Sequence, residues 1–497
     1  MNTRLSLDII AVAVLAGLAG DTLLRAMPWG LNVALCAAIL VVAGFWLVRR
    51  YDLKPGPDAP WLAITVLLLG AAFLRRDAAV LTRFDILALF ITLCLAAASL
   101  QGERIGAWRP VDYLRAGVTA TLGSIAGGLL LIGRDVQWQE LPRSGRLRNI
   151  RAALVGLLIA APLLVIFAAL FASADQVFGN VLTNVFSFDI TSVVSHTVFF
   201  VFWAAITAGY LRWSLIGKPS SVTLDASGAR LGLVPMATAL GLLNALFLLF
   251  VVVQLRYFFG GAALIQATTG LTYAEYARQG FFQLVAASAL VLPVLLGADF
   301  LVRAGTPVEI QTFRRLAGLL LVLLAVIMVS AFQRMRLYVE AFGLSEQRLY
   351  ATAFMVLLLG VFAWFAWTVL RGARQRFAFG VLMQGFGVLA ALHVMNPDAL
   401  IVRTNLGRPV AARAFDAQYA LTLSADAVPA LMDALPRLDA ADRQIIVCGL
   451  MRRWKNEGAD WRTWNWSRSR ARRMINNHTP ALRQACMAAI KELHHDH

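Results

Sequence analysis

The chain is a succession of long apolar runs joined by short polar connections. Twelve apolar segments are visible, at about 7–25, 30–48, 59–75, 83–101, 112–133, 150–173, 192–215, 230–257, 278–302, 312–332, 348–371 and 374–393. A helix needs roughly 20 mostly apolar residues to cross a bilayer, and most of these runs reach or approach that length. Backbone groups in lipid must be satisfied inside the segment, and the two-residue alternation of a barrel is missing. The pattern therefore predicts an all-α protein, a polytopic transmembrane helical bundle of 11–12 spans. After His393 charges become frequent and apolar runs shorten, which predicts a small helical C-terminal soluble domain. Its helices are predicted near 416–423, 426–435, 439–455, 467–476 and 479–493, with stops at Pro436, Gly458 and Pro480.

Charge placement refines this picture. The 49–54, 104–115 and 134–151 connections are rich in Arg and read as cytoplasmic. The last two flank the 112–133 segment, which cannot cross once and satisfy both. That segment is also the weakest, rich in Gly, Thr and Ser and carrying Arg115 near its start. It reads as a re-entrant or interfacial helix. The remaining connections then alternate. Arg212, Lys218 and Arg230, then Arg303, Arg314 and Arg315, then Arg371, Arg374 and Arg376 fall inside, and the 76–83 turn is the exception outside. The reading gives eleven spans, a cytoplasmic N-terminus and an outer tail. It divides the chain into a four-helix region at 1–110, a re-entrant or interfacial segment with a basic loop at 111–149, a main bundle at 150–393 and the extramembrane domain at 394–497.

Composition agrees. Hydrophobic residues make up 59% and charged residues 15% of 497 residues, too apolar for a soluble domain of this size. The net charge of +17 would suggest nucleic acid in a soluble protein; here the basic loops meeting anionic lipid account for it. The first run lacks a basic leader beyond Arg4 and a small-residue cleavage site, so it reads as a span and not a signal peptide.

Few ionisable groups lie within the spans. Asp21 and Arg25, and Asp299 and Arg303, are four apart near helix ends and read as ion pairs on one face. His196 and Asn244 either line a polar path or serve as interhelical hydrogen-bond donors. Four stretches fall at the outer face: FASADQVF with Asp175, the 257–282 segment, the 335–354 segment and HVMNPDALIVRTNLGR at 393–408. Ser173 with Gln176 and Thr272 with Glu275 fit capping boxes, Gly343 reads as a helix end, and Ser345 reads as the cap of the next helix. Together the stretches bring Tyr273, Glu275, Tyr276, Arg278, Arg336, Tyr338, Glu340, Glu346 and Arg348 to one face. They form either a polar site under the outer leaflet or the caps and ion pairs of short helices. The capping boxes favour the second. Motifs for zinc proteolysis, nucleotide binding or an activated serine are missing, and no metal-ligand cluster or cofactor is implied.

SADQVF, GLTYAEYARQGFF, RLYVEAFGLSEQRLYA, NPDALIVRTN and FDAQYALTLSADAVPAL resemble a bacterial family known only as a domain of unknown function, the 4173 type, related to the 4153 type. The resemblance covers about residues 150–475. It implies a multi-pass protein of the bacterial inner membrane, with no activity or catalytic residue to carry over.

In the tail, Trp454, Trp461, Trp464 and Trp466 interleave with Arg468, Arg470, Arg472 and Arg473. The patch reads as a partner or lipid-headgroup surface, or as Trp packing with Arg on the solvated side. A tail outside the cell makes nucleic acid an improbable partner. The expected partners are the bilayer and an envelope or membrane protein, and the expected role is that of a non-enzymatic scaffold or signalling partner. A transporter or lipid-handling protein and an outer-leaflet enzyme are the alternatives. Cys448 and Cys486 lie on two predicted tail helices and either pair or stay free thiols if the tail is outside. With the tail outside, an impermeant maleimide should label them in intact cells, either directly or only after reduction. Labelling that needs an opened cytoplasmic membrane would place the tail inside.

Overall fold

In the computed structural model the described residues are 2–137, scattered positions between 156 and 175, 190–217, 232–269, 281–302, 306–407, 415–454 and 460–495. Among them the structure is helical and holds no strand. The apolar helices are α1 (Asn2–Leu24), α2 (Leu31–Arg50), α3 (Ala59–Arg75), α4 (Ala79–Leu100), α5 (Pro110–Leu130), α6 (Ile190–Leu215), α7 (Leu233–Thr269), α8 (Phe281–Val302), α9 (Pro307–Phe342), α10 (Glu346–Thr368) and α11 (Phe377–Met395). Ten described helices are long and apolar enough to cross a membrane, and α3 is a shorter apolar helix. Many of their large apolar side chains stay exposed, among them Leu18, Leu68, Leu129, Leu249 and Leu290. Such an apolar surface needs lipid as its solvent. The expected all-α transmembrane bundle is what the chain forms.

Two helix groups make up the bundle. In the first, α1 packs on α2 and α6, α2 on α3, and α3 on α4. In the second, α9 packs against α7, α8 and α10 around Phe313, Leu320, Leu324 and Phe365. Helix α11 bridges them, touching α4 on one side and α10 on the other. The tail helices α12 (Pro397–Leu406), α13 (Ala417–Thr422), α14 (Val428–Ala434), α15 (Ala440–Arg453) and α16 (Trp466–His495) sit on one face, over the 24–31, 76–78, 343–346 and 393–396 connections.

Helix α5, with the turn that follows it, is one of the ten and is tied to its neighbours at both ends. At its start Tyr113 Oη donates to the Ile105 carbonyl at 2.9 Å and Arg115 pairs with Glu103 at 3.2 Å. Past its end Leu131 joins Leu5, Ile9, Leu47 and Leu211, and Asp135 pairs with Arg212. All these partners belong to the helix ends opposite the tail. A 21-residue helix is about 31 Å long, yet both of its ends are anchored at one face. It is an unbroken helix, Pro110–Leu130, followed by a π-turn over Leu131–Asp135. It crosses α6 at a contact made by glycines: a Cβ on Gly127 would sit 2.8 Å from Gly209 Cα, and one on Gly209 would collide with the Ser124 carbonyl.

Several elements differ from the sequence expectation. Helix α9 runs ten residues past the apolar stretch to Phe342, where Gly343 ends it with φ +83°. Ser345 takes the N-cap position of α10, but its side chain makes no capping bond. The Ser173 hydroxyl donates back to the Leu170 carbonyl at 2.8 Å. Pro480 does not stop the tail: α16 continues through it. Asn476 and Asn477 are exposed there, so water can take the carbonyl that proline leaves unbonded. Helix α12 was not among the expected tail helices. The Thr272–Glu275 capping box, Gln176 and Arg303 lie outside the described residues.

The α5–α6 crossing tolerates no added side chain. Gly209→Leu should lower the detergent unfolding midpoint, with a cost of about 1–3 kcal/mol from overpacking. Gly241→Leu, at a glycine facing open space, should leave it within error.

Candidate functional site

The functional candidate built most heavily from buried polar groups is the seam between the tail and the helix ends beneath it. A helix ends with carbonyls that have no intrahelical partner. Once another domain covers them, protein groups must replace water. Asn465 does this for α3: its Nδ2 donates to the Phe73 and Arg76 carbonyls, each at 2.8 Å. Its Oδ1 accepts from Arg468 N at 3.1 Å, capping α16 at the same time. Arg76 does it for α11, donating Nε and Nη2 to the His393 carbonyl at 2.8 and 2.6 Å. Asn405 brackets the turn after α9, accepting from Leu344 N at 2.6 Å and donating to the Leu344 carbonyl at 2.8 Å. Trp464 offers its carbonyl to Leu31 N at 2.9 Å, at the start of α2.

Carboxylates tie these caps together. Asp426, buried, accepts from Arg76 Nη1 at 3.2 Å and from Asp77 N at 2.7 Å, and Ser467 Oγ lies 2.5 Å from it. Asp77 pairs in turn with Arg468 at 2.5 Å. Arg468 Nη2 also donates to the Trp29 carbonyl at 2.9 Å and the Thr463 carbonyl at 2.6 Å. One step deeper, His393 Nε2 lies 2.8 Å from Asp85 Oδ1. Asp398 accepts from Ser424 N at 2.9 Å through one oxygen, while its other oxygen, Tyr350 Oη and His393 Nδ1 are buried without a protein partner. Burial raises the Asp398 carboxyl above its usual value, with Asp426 and Asp77 adding to the effect. Burial raises Asp77 as well, against the pull of Arg468.

The structure brings Asp21 and His196 together. Asp21 accepts from Arg25 Nε at 2.8 Å through one oxygen and lies 2.7 Å from His196 Nδ1 through the other. Arg25 Nη2 reaches Ser195 Oγ at 2.5 Å. The α1–α6 contact thus ends in a polar clasp. Asn244 is not part of it: its Nδ2 donates to the Leu240 and Leu316 carbonyls at 2.8 and 3.0 Å, joining α7 to α9. Asp299 pairs with Arg374 at 2.7 Å, tying α8 to the turn before α11.

The described residues expected at the outer face are divided among several tasks. Arg336 and Glu340 form an exposed pair at 2.8 Å on α9. Arg348 stacks over the Tyr338 ring at 4.0 Å and bonds the Gly343 carbonyl, closing the turn between α9 and α10. Glu346 offers its backbone N–H to Tyr419 Oη at 2.9 Å and so joins the tail seam. Asp175 is exposed, with its N–H bonded to the Phe171 carbonyl at 2.9 Å. Tyr273, Glu275, Tyr276 and Arg278 lie outside the described residues.

The Trp/Arg patch is split. Trp454 and Arg468 are buried, the first in the tail core and the second in the seam. Trp461, Trp464 and Trp466 are 62%, 42% and 51% exposed, and Arg470 and Arg473 are exposed beside them. Arg472 is half-buried, and Arg473 lies 5.7 Å from the Trp466 ring centroid. Cys448 on α15 and Cys486 on α16 form a disulfide with a Cα separation of 5.5 Å. Among the described residues no group of three His, Cys, Asp or Glu side chains is arranged to hold a metal.

A family model described as a domain of unknown function, DUF4153, matches residues 63–434. The chain belongs to the DUF4153 family. No curated protein and no solved structure matches it. The DUF4153 stretch contains Arg76, Asp77, Asp85, His393, Asp398 and Asp426, but stops short of α16, which supplies Asn465, Ser467 and Arg468. Sequence reasoning passed over this seam, although NPDALIVRTN and SADAVPAL hold Asp398 and Asp426.

Asp426→Ala should leave Arg76 buried without its counter-ion, at a cost of about 3–5 kcal/mol. Limited proteolysis should then release the tail from the bundle. For Asp398 the protonated form is the one docking favours. Its contribution is complete below the ordinary carboxylate pKa and is lost as pH rises through the raised value. Asp398→Asn should therefore flatten the pH dependence of tail release between acid and neutral pH.

Proposed function

We propose that this DUF4153 protein is a non-enzymatic scaffold or signalling partner of the bacterial inner membrane. Its tail is the interaction module and its bundle the anchor. The observation that carries this reading is the division of the tail into two sides. One side is locked on the helix ends through Asp426, Arg76, Asp77 and Arg468. The other leaves Trp461, Trp464 and Trp466 in the open beside Arg470 and Arg473. Exposed tryptophans next to arginines are the side chains that dominate protein contact surfaces. Because the seam grips the α1–α2, α3–α4 and α9–α10 connections and the end of α11, any shift among these helices moves the presented surface.

In this reading α5 lies along the membrane face opposite the tail and does not cross, which is supported by the anchoring of both its ends there. Eleven crossings then separate a cytoplasmic N-terminus from a tail outside, where the Cys448–Cys486 disulfide would persist. The likeness to the 4173 type belongs to the same reading. A transport pathway through His196 and Asn244 gains no support, since one is clasped to α1 and the other bonded across to α9.

Replacing Trp461, Trp464 and Trp466 together with Ala should abolish capture of at least one membrane or envelope protein by cross-linking in intact cells. Expression and protease resistance of the tail should be unchanged. A capture pattern identical to the unsubstituted protein would overturn the scaffold reading.

A further inference from the structure

Helices α10 and α11 are antiparallel neighbours, yet they do not close on each other. Small residues open a crevice of about 570 Å³ between them, lined by Val356, Gly360, Trp364, Trp367, Gln384 and Gly387 among others. A Cβ on Gly360 would lie 2.7 Å from Gln384 Oε1, while Gly387 faces open space. Val356 and Trp367 at its two ends are 51% and 58% exposed, so the crevice opens sideways toward where lipid would stand. From Val356 to Trp367 the helix rises about 17 Å, close to half of a roughly 30 Å hydrocarbon core. The crevice thus has the depth of one leaflet, and it begins at the face opposite the tail.

Its mouth is basic. The Arg371 guanidinium stands 3.9 Å from the Trp367 ring centroid. Trp364 Nε1 donates to the Arg376 carbonyl at 3.3 Å, fixing that residue at the rim. Arg314 approaches from α9, where a Cβ on Gly372 would lie 3.4 Å from its Nη2. All three arginines are exposed, and no ion pair to a carboxylate is found for them among the described residues. Arg374, between them in sequence, is already held by Asp299. An apolar slot one leaflet deep under three unneutralised guanidinium groups has the charge and shape of a receptor for a two-part molecule. Its head would be anionic and its tail a hydrocarbon chain.

We propose that this crevice binds one anionic glycerophospholipid of the leaflet opposite the tail. An acyl chain lies between α10 and α11, and the phosphate lies among Arg314, Arg371 and Arg376. The site does not depend on the scaffold reading of the tail. Its test is native mass spectrometry of the full chain, purified in a phosphate-free detergent and titrated with phosphatidylglycerol or phosphatidylcholine. The unsubstituted protein should retain one phosphatidylglycerol in preference to phosphatidylcholine. The double variant Arg371→Gln/Arg376→Gln should lose that preference, with phosphatidylglycerol occupancy falling roughly tenfold or more. Gly387→Phe and Ala391→Phe fill the slot midway along its length and at its deep end, and each should lower retention of both lipids. The arginines stand on an exposed turn, so the double variant keeps the test decisive if a filling variant fails to fold. Equal retention of the two lipids by the unsubstituted protein would overturn the proposal. So would unchanged retention in the double variant, or filling variants that abolish a dimer and leave lipid retention intact.

Discussion

Covered helix ends set the terms for this structure. A helix terminus in water needs nothing from the protein, because water bonds its last carbonyls. Under a docked domain the same groups cost free energy unless a side chain reaches them. Here the tail covers several termini at once, and the side chains that answer them come from distant parts of the chain. Asn465 serves α3 and α16 together, Arg76 serves α11, and Asn405 serves the turn after α9. Arg76 and Arg468 then bring buried positive charge, which Asp426 and Asp77 neutralise. Each partner in the seam is needed because another is buried, which makes its contacts cooperative.

That logic also explains which parts were legible in the sequence. Hydropathy reveals membrane helices because a span must be apolar along its whole length, and the runs around Leu47, Leu95 or Leu324 leave no other reading. The end of α9 is legible too, since Gly343 acts within a few residues of itself. The seam was not legible, because its partners are far apart: Arg76 with Asp426, Asp85 with His393, Asp77 with Arg468. A short-range rule finds Asp21 with Arg25, but it cannot bring His196 to Asp21 or Arg374 to Asp299. Charge counting also singled out α5, whose flanking arginines Arg115 and Arg134 do not by themselves reveal partners such as Ile105 for Tyr113 or Arg212 for Asp135.

The two faces of the protein use arginine in opposite ways. At the tail face Arg468 is buried, Arg76 is half-buried, and both are fully engaged, so they act as structural pins. At the other face Arg314, Arg371 and Arg376 are exposed, free to respond to lipid charge. The same residue type thus gives rigidity on one side and sensitivity to the membrane on the other.

The distance in sequence between Asn465 and the α3 end it serves has a consequence for biogenesis. The carbonyls of Phe73 and Arg76 emerge from the ribosome 389 to 392 residues ahead of the amide that bonds them. Throughout synthesis of the intervening helices that terminus must stay hydrated, or be sheltered by the insertion machinery. A segment made late is therefore the keystone of helices inserted well before it. A chain that stalls before α16 would leave in the membrane a set of correctly threaded helices with an unsealed edge, a signature that quality-control proteases could read.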